Sequence, residues 1–479
     1  MKRTYTIILT TLLVALFATT GALAQADGDF RSTADGDWSA IAWETYSGSD
    51  WTATTDIPAA SDNVFIRGED TVSVDSDITF TGTITVEGSG PETGGQLAAG
   101  SGVTVTFGDG STYNHARDGG SVPVATWGTG STIEFTGILG EGPDNSAQAF
   151  HNITWNNSGQ ISNVSLGLGT VTIGGTVRVV DSGSNRFRLS SAGDGNGETI
   201  TIEGDFIVEG GAVETTGSGD TAVYNVVVNG NVVVNGGTTF ATSRGSGGRA
   251  TWTLNGDYTV LGDAELRDSH DGDSSRVVFA GNSVQNVSIS ADAEYNGTIN
   301  YSVASGSEIA VAADSTFHYE DNFTLGGSLT VSGEIVAGGT LVVDGGAMTV
   351  ADGGTYTHAY DAGEVPDATW ADGSTIQLTG IVTNDPDNLD QDFYNFTWNN
   401  AGQIENINIG WNDYTLRGSI TVLSTNGQQF RLSSAGDDGD PARSITIMGD
   451  VVVDGENSEF TATGSGDIFD YDVTVMGNI

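Results

Sequence analysis

Short runs in which apolar and polar residues alternate cover most of the chain. In "ITIEGDFIV", which begins at Ile200, Ile200 and Ile202 stand before Gly204, and Phe206 and Val208 stand after it. Alternate residues of a strand point to the same face, so this stretch predicts a strand, a tight turn and a second strand. Helical periodicity is almost absent after residue 24. The pattern predicts an all-β fold made of many short strands.

The glycine of this unit recurs at a nearly constant spacing. The recurring positions are Gly204, Gly230, Gly256 and Gly281, and the residues two places before the first three are Ile202, Val228 and Leu254. We expect each glycine to supply a corner with positive φ, and the Asp or Asn after it to bond the local backbone. One unit cannot bury its apolar side alone, whereas stacked units can. The period predicts a parallel β-solenoid with roughly 26 residues per coil, about 16 coils and a length of about 75–80 Å.

A longer repeat overlies the short one. "FHNITWNNSGQISN" begins at Phe150, and "FYNFTWNNAGQIEN" begins at Phe393, 243 positions later. We divide the chain into residues 25–110, an N-terminal cap with the first coils; residues 111–354, a first solenoid block; and residues 355–479, a second block. Because Ile479 stops partway through a strand of the repeat, we expect the second block to be truncated, or its open end to be covered by a second copy in end-to-end association.

Four residues that recur in this repeat are candidates for carbohydrate binding: Trp155, Trp398, His115 and His358. An exposed aromatic ring offers an apolar face with a polar edge, which suits a sugar. A structural alternative stays open, in which the Trp rings fill wide corners of the core and the His rings bond to backbone.

Two stretches resemble known secreted proteins. The Phe-x-Asn-x-Thr-Trp-Asn-Asn phrase after a "TW…GSTI…TGI" stretch is similar to the large surface proteins of Gram-negative bacteria that use the type IX secretion route. The stretch from Asp37 to Asp75 resembles the eight-glycine module that opens many extracellular β-helix proteins. The resemblance implies a right-handed parallel β-helix of the pectin-lyase-like kind, displayed at the cell surface or released from it. It implies no defined activity.

The amino terminus predicts export. Lys2 and Arg3 precede an apolar run from Ile7 to Phe17, and small residues follow up to Ala24, so residues 1–24 have the features of a secretory signal peptide. We therefore expect a secreted protein, extracellular or on the outer cell surface. No later segment is apolar for long enough to predict a membrane span.

The net charge of the chain is strongly negative, and it excludes some classes of binding partner. The chain has 62 acidic and 15 basic residues, a net charge of −47, and Lys2 is its only lysine. Such a surface repels nucleic acid and anionic membranes, and it is typical of proteins that work at high salt. We expect a halophilic, acidic protein. The chain has no cysteine, so no disulfide stabilises it.

Calcium is the only cofactor that the sequence suggests. Two Gly-rich loops at equivalent places in the repeat hold closely spaced oxygen ligands of the kind that Ca²⁺ prefers: Asp194, Asn196 and Glu198, and then Asp437, Asp438 and Asp440. The alternative is a solvated acidic turn, since neither the full EF-hand string nor a calcium-binding nonapeptide array is present.

Two main functions remain open at this stage, beside a third class, an ice- or mineral-surface binder with flat Thr ladders, for which the chain has no regular Thr-x-Thr register. The first is a structural or adhesive module that binds polysaccharide or surface proteins. The alternative is a β-helix enzyme that degrades polysaccharide, as a lyase or a hydrolase. The chain has no G-x-S-x-G or H-E-x-x-H motif and no cysteine nucleophile. With 62 acidic residues, a pair of catalytic carboxylates cannot be recognised from sequence. We therefore assign no catalytic residue and favour the adhesive module.

Overall fold

The computed structural model describes residues 25–88, 94–190, 197–217, 223–243, 249–268, 275–433, 443–455, 457–464 and 471–479. These residues are all-β: they form 50 strands and no helix. None of their segments is therefore a helix that could cross a membrane. The predicted signal peptide, residues 1–24, lies outside the described residues.

The strands are short, and most have two to five residues. In the first half of the chain they are β1 (Phe30–Ser32), β2 (Gly36–Asp37), β3 (Trp43–Ser47), β4 (Asp50–Thr54), β5 (Val64–Ile66), β6 (Thr71–Val74), β7 (Ile78–Phe80), β8 (Thr83–Glu87), β9 (Gln96–Ala99), β10 (Val105–Phe107), β11 (Thr112–Ala116), β12 (Thr126–Trp127), β13 (Thr132–Phe135), β14 (Asn152–Asn156), β15 (Val164–Ser165), β16 (Val171–Ile173), β17 (Val177–Asp181), β18 (Arg186–Arg188), β19 (Glu198–Ile202), β20 (Phe206–Val208), β21 (Ala212–Glu214), β22 (Val223–Val228), β23 (Val232–Val234), β24 (Thr239–Ser243) and β25 (Arg249–Leu254).

The second half continues the same series. Its strands are β26 (Tyr258–Val260), β27 (Glu265–Asp268), β28 (Ser275–Phe279), β29 (Gln285–Ile289), β30 (Glu294–Asn296), β31 (Ile299–Val303), β32 (Glu308–Val311), β33 (Thr316–Tyr319), β34 (Phe323–Leu325), β35 (Ser328–Val331), β36 (Glu334–Ala337), β37 (Leu341–Val343), β38 (Ala347–Val350), β39 (Thr355–His358), β40 (Thr369–Trp370), β41 (Thr375–Leu378), β42 (Asn395–Asn399), β43 (Ile407–Asn408), β44 (Tyr414–Leu416), β45 (Ile420–Ser424), β46 (Gln429–Arg431), β47 (Arg443–Ile447), β48 (Val451–Val453), β49 (Glu459–Thr461) and β50 (Tyr471–Val475).

Most strands belong to three parallel ladders. The first ladder runs through seventeen successive parallel pairings, β1–β5–β8–β11–β13–β14–β17–β20–β23–β26–β29–β33–β36–β39–β41–β42–β45–β48. The second ladder comprises β16–β19–β22–β25–β28–β31–β34–β37 and later β44–β47–β50, and the third comprises β15–β18–β21–β24–β27–β30 and later β43–β46–β49. Shorter ladders are β2–β6–β9, β7–β10–β12 and a branch from β29 through β32, β35, β38 and β40.

The sheet that contains the first ladder is mixed, because its amino-terminal end is antiparallel. There β3 pairs antiparallel with both β1 and β4. All other pairings between the strands given above are parallel. The prediction of parallel stacking therefore holds for the body of the sheets and not for this hairpin.

The predicted interior ladder is confirmed. Ile202 is the register partner of Val228, and Val228 is the partner of Leu254, all three on the second ladder. Their side chains are buried in the single apolar cluster that runs through the described part of the chain. Phe206 and Val208, after the corner glycine, are buried as well, as the alternation predicts.

The predicted 26-residue period holds only in part of the chain. Phe206, Val232 and Tyr258 are successive partners 26 residues apart. Elsewhere the spacing between partners shortens to 18 residues, from Phe323 to Leu341, and lengthens to 31, from Ile420 to Val451. One cause is the third ladder: where it is absent, successive partners such as Thr112, Thr132 and Asn152 stand 20 residues apart.

The corner glycines act differently from the prediction. Gly204, Gly230 and Gly256 are not among the glycines with positive φ. A Cβ atom on Gly230 would instead lie 2.5 Å from the carbonyl oxygen of Gly204 in the preceding layer, and one on Gly256 would lie 2.3 Å from that of Gly230. Glycine stands at this corner because successive layers approach too closely for any side chain.

The polar residue after the glycine also has a different partner from the predicted one. The Asp205 carboxylate accepts a hydrogen bond from the backbone N–H of Asn231 at 2.7 Å, and the Asn231 side-chain oxygen accepts one from the N–H of Asp257 at 2.9 Å. Asp257 in turn accepts from the N–H of Asn286. These residues form the corner ladder, which joins each layer to the next rather than bonding its own turn.

Candidate functional site

Trp155 lies inside the core of the molecule. It is on β14 and fully buried, and its ring stacks on Phe187 with 4.4 Å between ring centroids. Its indole Nε1 donates a hydrogen bond to Oε1 of Gln160 at 3.1 Å. The Gln160 amide nitrogen donates to the carbonyl oxygens of Ser162 and Arg186. Both faces and the polar edge of Trp155 are therefore used within the protein.

The second copy reproduces this arrangement. Trp398 is fully buried, stacks on Phe430 with 4.3 Å between centroids and donates to Gln403 Oε1 at 3.0 Å. Neither ring offers a face to solvent on which a sugar could stack. This position favours the structural alternative for both Trp residues over the predicted carbohydrate contact.

The second asparagine of the phrase connects neighbouring layers. The Asn157 side-chain oxygen accepts from the backbone N–H of Ile138 at 2.8 Å, and its amide nitrogen donates to the carbonyl of Phe135 at 3.0 Å. The backbone N–H of Asn157 donates to the carbonyl of Asp181 in the following layer at 2.8 Å. Asn400 repeats the contacts to Ile381, in the layer before, and to Ser424, in the layer after.

These contacts mark a change in the width of the repeat unit. The strand register shifts between Trp155 and Asn156, and again between Trp398 and Asn399. The third ladder begins directly after each shift, with β15 and with β43. We call residues 155–160 and 398–403 the Trp-Asn-Asn junctions. The repeated phrase thus recurs because, in each block, the layers gain a strand of the third ladder at this point.

His115 and His358 are equivalent core residues near the ends of strands β11 and β39. Both are fully buried, and their Nε2 atoms lie 2.7 Å from the Gly119 carbonyl and 2.8 Å from the Ala362 carbonyl. Burial lowers the pKa of His115 to about 4, against the smaller opposing effect of its hydrogen bond to Gly119. Burial likewise lowers the pKa of His358. Neutral rings bonded to backbone match the structural alternative for these residues.

A third recurring polar residue was missed by the sequence reasoning. The carboxylate of Asp118 accepts backbone hydrogen bonds from Leu139, Gly140 and Glu141 at 2.8–2.9 Å. Asp361 repeats this in the second block, where it accepts from the N–H groups of residues 382–384 at 2.7–3.1 Å. The only sequence signal for Asp118 was that it recurs 243 positions later as Asp361. Many purely structural residues recur at the same distance.

The acidity of Asp361 reflects these bonds. Partial burial acts to raise its pKa, but the Thr383 hydroxyl and the N–H groups of Val382, Asn384 and Thr383 outweigh it and hold the pKa below the usual value. Asp361 is therefore ionised in the folded protein, and its charge holds the loop after β41 in one conformation.

The predicted calcium ligands are only partly covered by the structure. Asp194, Asn196, Asp437, Asp438 and Asp440 lie outside the described residues. Glu198 is half-buried at the start of β19. Within the described ranges, no group of three or more His, Asp or Glu side chains could hold a metal ion. Calcium binding at these loops stays a prediction.

One buried carboxylate near the first junction is paired with arginines. Glu214 is fully buried, and its two oxygens lie 2.6 Å from Arg186 Nε and 3.0 Å from Arg188 Nε. A buried carboxylate needs such partners, because an unpaired charge in the interior is strongly unfavourable. The Glu214 carboxylate and its two arginine partners connect β21 to β18 within the third ladder. The charge of the carboxylate is therefore paired within the protein.

Together these contacts define an all-β protein of parallel ladders, in which the recurring Trp, Asn, Gln, His and Asp side chains bind one another and the backbone. Comparison of the chain with protein-family models, with curated proteins and with solved structures finds no match. Its function must therefore be argued from its own geometry.

Proposed function

We propose that this chain is a right-handed parallel β-helix that serves as an exported structural and adhesive rod at the cell surface or outside the cell. The observation that supports this most is the first ladder, with seventeen successive parallel pairings. At 4.7–4.9 Å per pairing, such a ladder extends over about 80 Å. An extended stack of this kind holds one end of a molecule far from the other, which suits a surface spacer.

The proposed handedness rests on a general property of parallel sheets. A connection between parallel strands of one sheet is right-handed in about 98% of proteins. Successive strands of the first ladder, such as β17, β20 and β23, are joined by connections that pass through the third and second ladders. A right-handed path satisfies the rule at every layer.

The adhesive role is supported by how the recurring residues are used. Trp155, Trp398, His115 and His358 stabilise the core, so the conspicuous residues of the repeat serve the scaffold. What remains for contact is an acidic surface with a net charge of −47 over the whole chain. We expect it to meet polysaccharide or surface proteins, with Ca²⁺ as the bridging ion, and not to bind nucleic acid.

Three measurements test the proposal. Negative-stain electron microscopy of the exported protein should show rods of about 80 Å or longer, and compact globular particles would refute the solenoid. A panel of neutral and uronic polysaccharides, measured for both retention and cleavage with and without Ca²⁺, tests the role. Retention without cleavage supports adhesion, whereas cleavage with turnover supports the enzyme. Sequencing of the exported chain should find Gln25 as the first residue.

A further inference from the structure

A row of mostly polar side chains crosses the outer face of the first ladder near its amino-terminal end. In β8, Ile84 and Val86 are buried in the core, so Thr85 between them points to the outer face. Register partners continue this row from strand to strand, and we call it the outer row: Phe65, Thr85, Asn114, Glu134, Thr154 and Arg178. At 4.7–4.9 Å per pairing, the row is about 24 Å long.

The polar groups in the middle of the outer row have few partners within the protein. Among the described residues, the carboxylate of the half-buried Glu134 has no hydrogen bond and no ion pair. The hydroxyl of Thr85 is buried without a hydrogen-bond partner. The Asn114 side-chain oxygen accepts from Thr136, while its amide nitrogen donates to no described group. Unpaired polar groups in a half-buried setting favour a ligand that supplies the missing hydrogen bonds.

A second half-buried carboxylate lies beside the row. Glu87 stands two residues after Thr85 on β8 and therefore on the same face of the sheet. Burial raises the pKa of both Glu87 and Glu134, against the smaller opposing effect of nearby arginines. The two charges thus lose hydration without gaining an equivalent partner in the protein. Hydrogen-bond donors on a ligand would stabilise both.

The arginines near the two ends of the row are already paired with other carboxylates. Arg31, the register partner of Phe65, donates to Glu44 at 2.6 Å. Arg178 donates from two nitrogens to Glu209 at 2.7 and 3.0 Å. Neither guanidinium is therefore free to neutralise the half-buried carboxylates between them.

A partly exposed aromatic ring lies over one end of the row. Trp51, on the hairpin strand β4, contacts Phe65 edge-on with 5.9 Å between ring centroids. The Arg31 guanidinium lies 4.6 Å from the centre of the same ring, and Tyr46 packs against it at 5.2 Å. Unlike the tryptophans of the two junctions, Trp51 is not fully buried. A ring that is held in place beside polar groups suits a sugar, which has apolar faces and a polar edge.

The second block shows that the fold does not require the charges of the outer row. Its residues at the register positions that correspond to Thr85 through Arg178 are Val336, Thr357, Gln377, Thr397 and Thr421. None of these side chains is charged, and the layers still pair in parallel. The charges of the first block are therefore not needed for stacking, and they give this block a surface that the second block lacks.

We propose that the outer row, together with Glu87 and Trp51, binds a neutral polysaccharide. The proposal rests on the adhesive role above and names its site and its class of ligand. Sugar hydroxyls both donate and accept, so they can donate to Glu87 and Glu134 and accept from the Asn114 amide. Trp51 packs on the face of a sugar ring. A uronic polysaccharide would bring carboxylates against Glu87 and Glu134 and is repelled from this site.

Affinity electrophoresis of the full chain in gels that contain hydroxyethylcellulose, galactomannan or dextran tests the site. At least one of these neutral polymers should retard the wild-type chain. Glu134→Gln, which introduces the residue of the second block, should bind that polymer about tenfold more weakly, and Glu87→Gln should weaken binding as well. Glu141→Asn is the matched control, because it also removes one charge and introduces the second-block residue, at an exposed position outside the row. Circular dichroism checks that each variant is folded.

The outcomes separate this site from the adhesive role itself. If a neutral polymer retards the wild type and both glutamine variants equally, the site is refuted and the adhesive role stands. If no neutral polymer and no pectate, with or without Ca²⁺, retards the wild type, adhesion to polysaccharide is refuted together with the site. If only the polyamine chitosan retards the chain, and equally in Glu134→Gln, the general negative charge causes binding and the proposal fails.

Discussion

The side-chain oxygen of Asn157 accepts a hydrogen bond from the backbone N–H of Ile138 at 2.8 Å, and Asn400 stands in the same relation to Ile381. In both blocks the asparagine reaches back one layer to a buried backbone group. The contact is thus kept together with the Trp-Asn-Asn phrase in both blocks.

The first prediction concerns this asparagine. Asn157→Ala leaves the buried N–H of Ile138 and the carbonyl of Phe135 without their partner, and each such group costs about 1–3 kcal/mol. We expect the free energy of unfolding to fall by about 2–4 kcal/mol. Asn156→Ala is the control, because the side-chain oxygen of Asn156 has no hydrogen-bond partner. Urea denaturation measures both, and equal losses would contradict the proposed junction.

The second prediction concerns the interior ladder. Val228 is buried between Ile202 and Leu254, so Val228→Asp places an unpaired charge in an apolar interior. We expect a loss of about 4 kcal/mol or more, or failure to fold. Val227→Asp, on the outward side of the same strand, should cost far less. Thermal unfolding followed by circular dichroism compares the two variants.

The third prediction concerns the corner glycines. Gly230→Ala requires the layers to move apart, since its Cβ would lie 2.5 Å from the Gly204 carbonyl oxygen. We expect a loss of about 2 kcal/mol or more from this strain. At Gly169 the nearest contact to an added Cβ is the end of the Glu198 side chain at 3.6 Å, so Gly169→Ala should be nearly neutral. Comparable melting temperatures for the two variants would refute the close-approach argument.

The asparagine, the interior ladder and the corner glycine show which parts of the fold could be predicted from the sequence. The alternation around Ile202 and its recurrence at Val228 and Leu254 were sufficient to predict the interior ladder, because side-chain direction and period are local properties. The corner glycine was misinterpreted, because the carbonyl that excludes a side chain belongs to the preceding layer. A contact between layers leaves no mark within a single repeat unit.

The candidate site likewise combines features that the sequence predicts with contacts that it does not. Recurrence singled out Trp155 and His115, but it could not tell a core residue from a binding residue, since duplication preserves both. Gln160, which accepts the Trp155 hydrogen bond, stands five positions away and gave no separate signal. Calcium binding at Asp194 and Asp437 stays a prediction, because these residues lie outside the described ranges.

The fourth prediction concerns acid. The folded-state pKa of His115 is lowered to about 4 from an ordinary value of about 6.5, so the unfolded chain binds a proton in this interval and the folded chain does not. Stability is therefore full above pH 6.5 and decreases as the pH falls to about 4. The shift corresponds to at most about 3 kcal/mol for His115, and His358 shifts in the same direction.

Urea denaturation at a series of pH values measures this dependence. Replacing both buried histidines by glutamine, which keeps a side-chain donor for the Gly119 and Ala362 carbonyls, should flatten the decrease between pH 6.5 and 4. His151→Gln, at a half-buried position, is the control. An unchanged slope in the double variant would show that other groups dominate acid unfolding.

The fifth prediction concerns ions. The net charge of −47 makes the folded chain repel itself at low ionic strength, so the melting temperature should climb as NaCl rises from tens of millimolar to molar. CaCl₂ should give a larger gain than MgCl₂ at equal ionic strength if the loops at Asp194 and Asp437 bind Ca²⁺. A melting temperature that is independent of NaCl would refute the halophilic interpretation. Equal effects of the two divalent ions would refute the calcium loops alone.

The corner ladder gives the molecule a direction. At each step from Asp205 through Asn231 to Asp257, the accepting side chain belongs to the earlier layer and the donating N–H to the later one. A layer that has already formed therefore presents a ready side-chain acceptor to the next one, while the backbone N–H of Phe206 donates in the opposite sense, to the carbonyl of Asn231 in the later layer. We expect a nascent chain to add finished layers onto the earlier ones in the order in which the ribosome releases them, before its synthesis is complete.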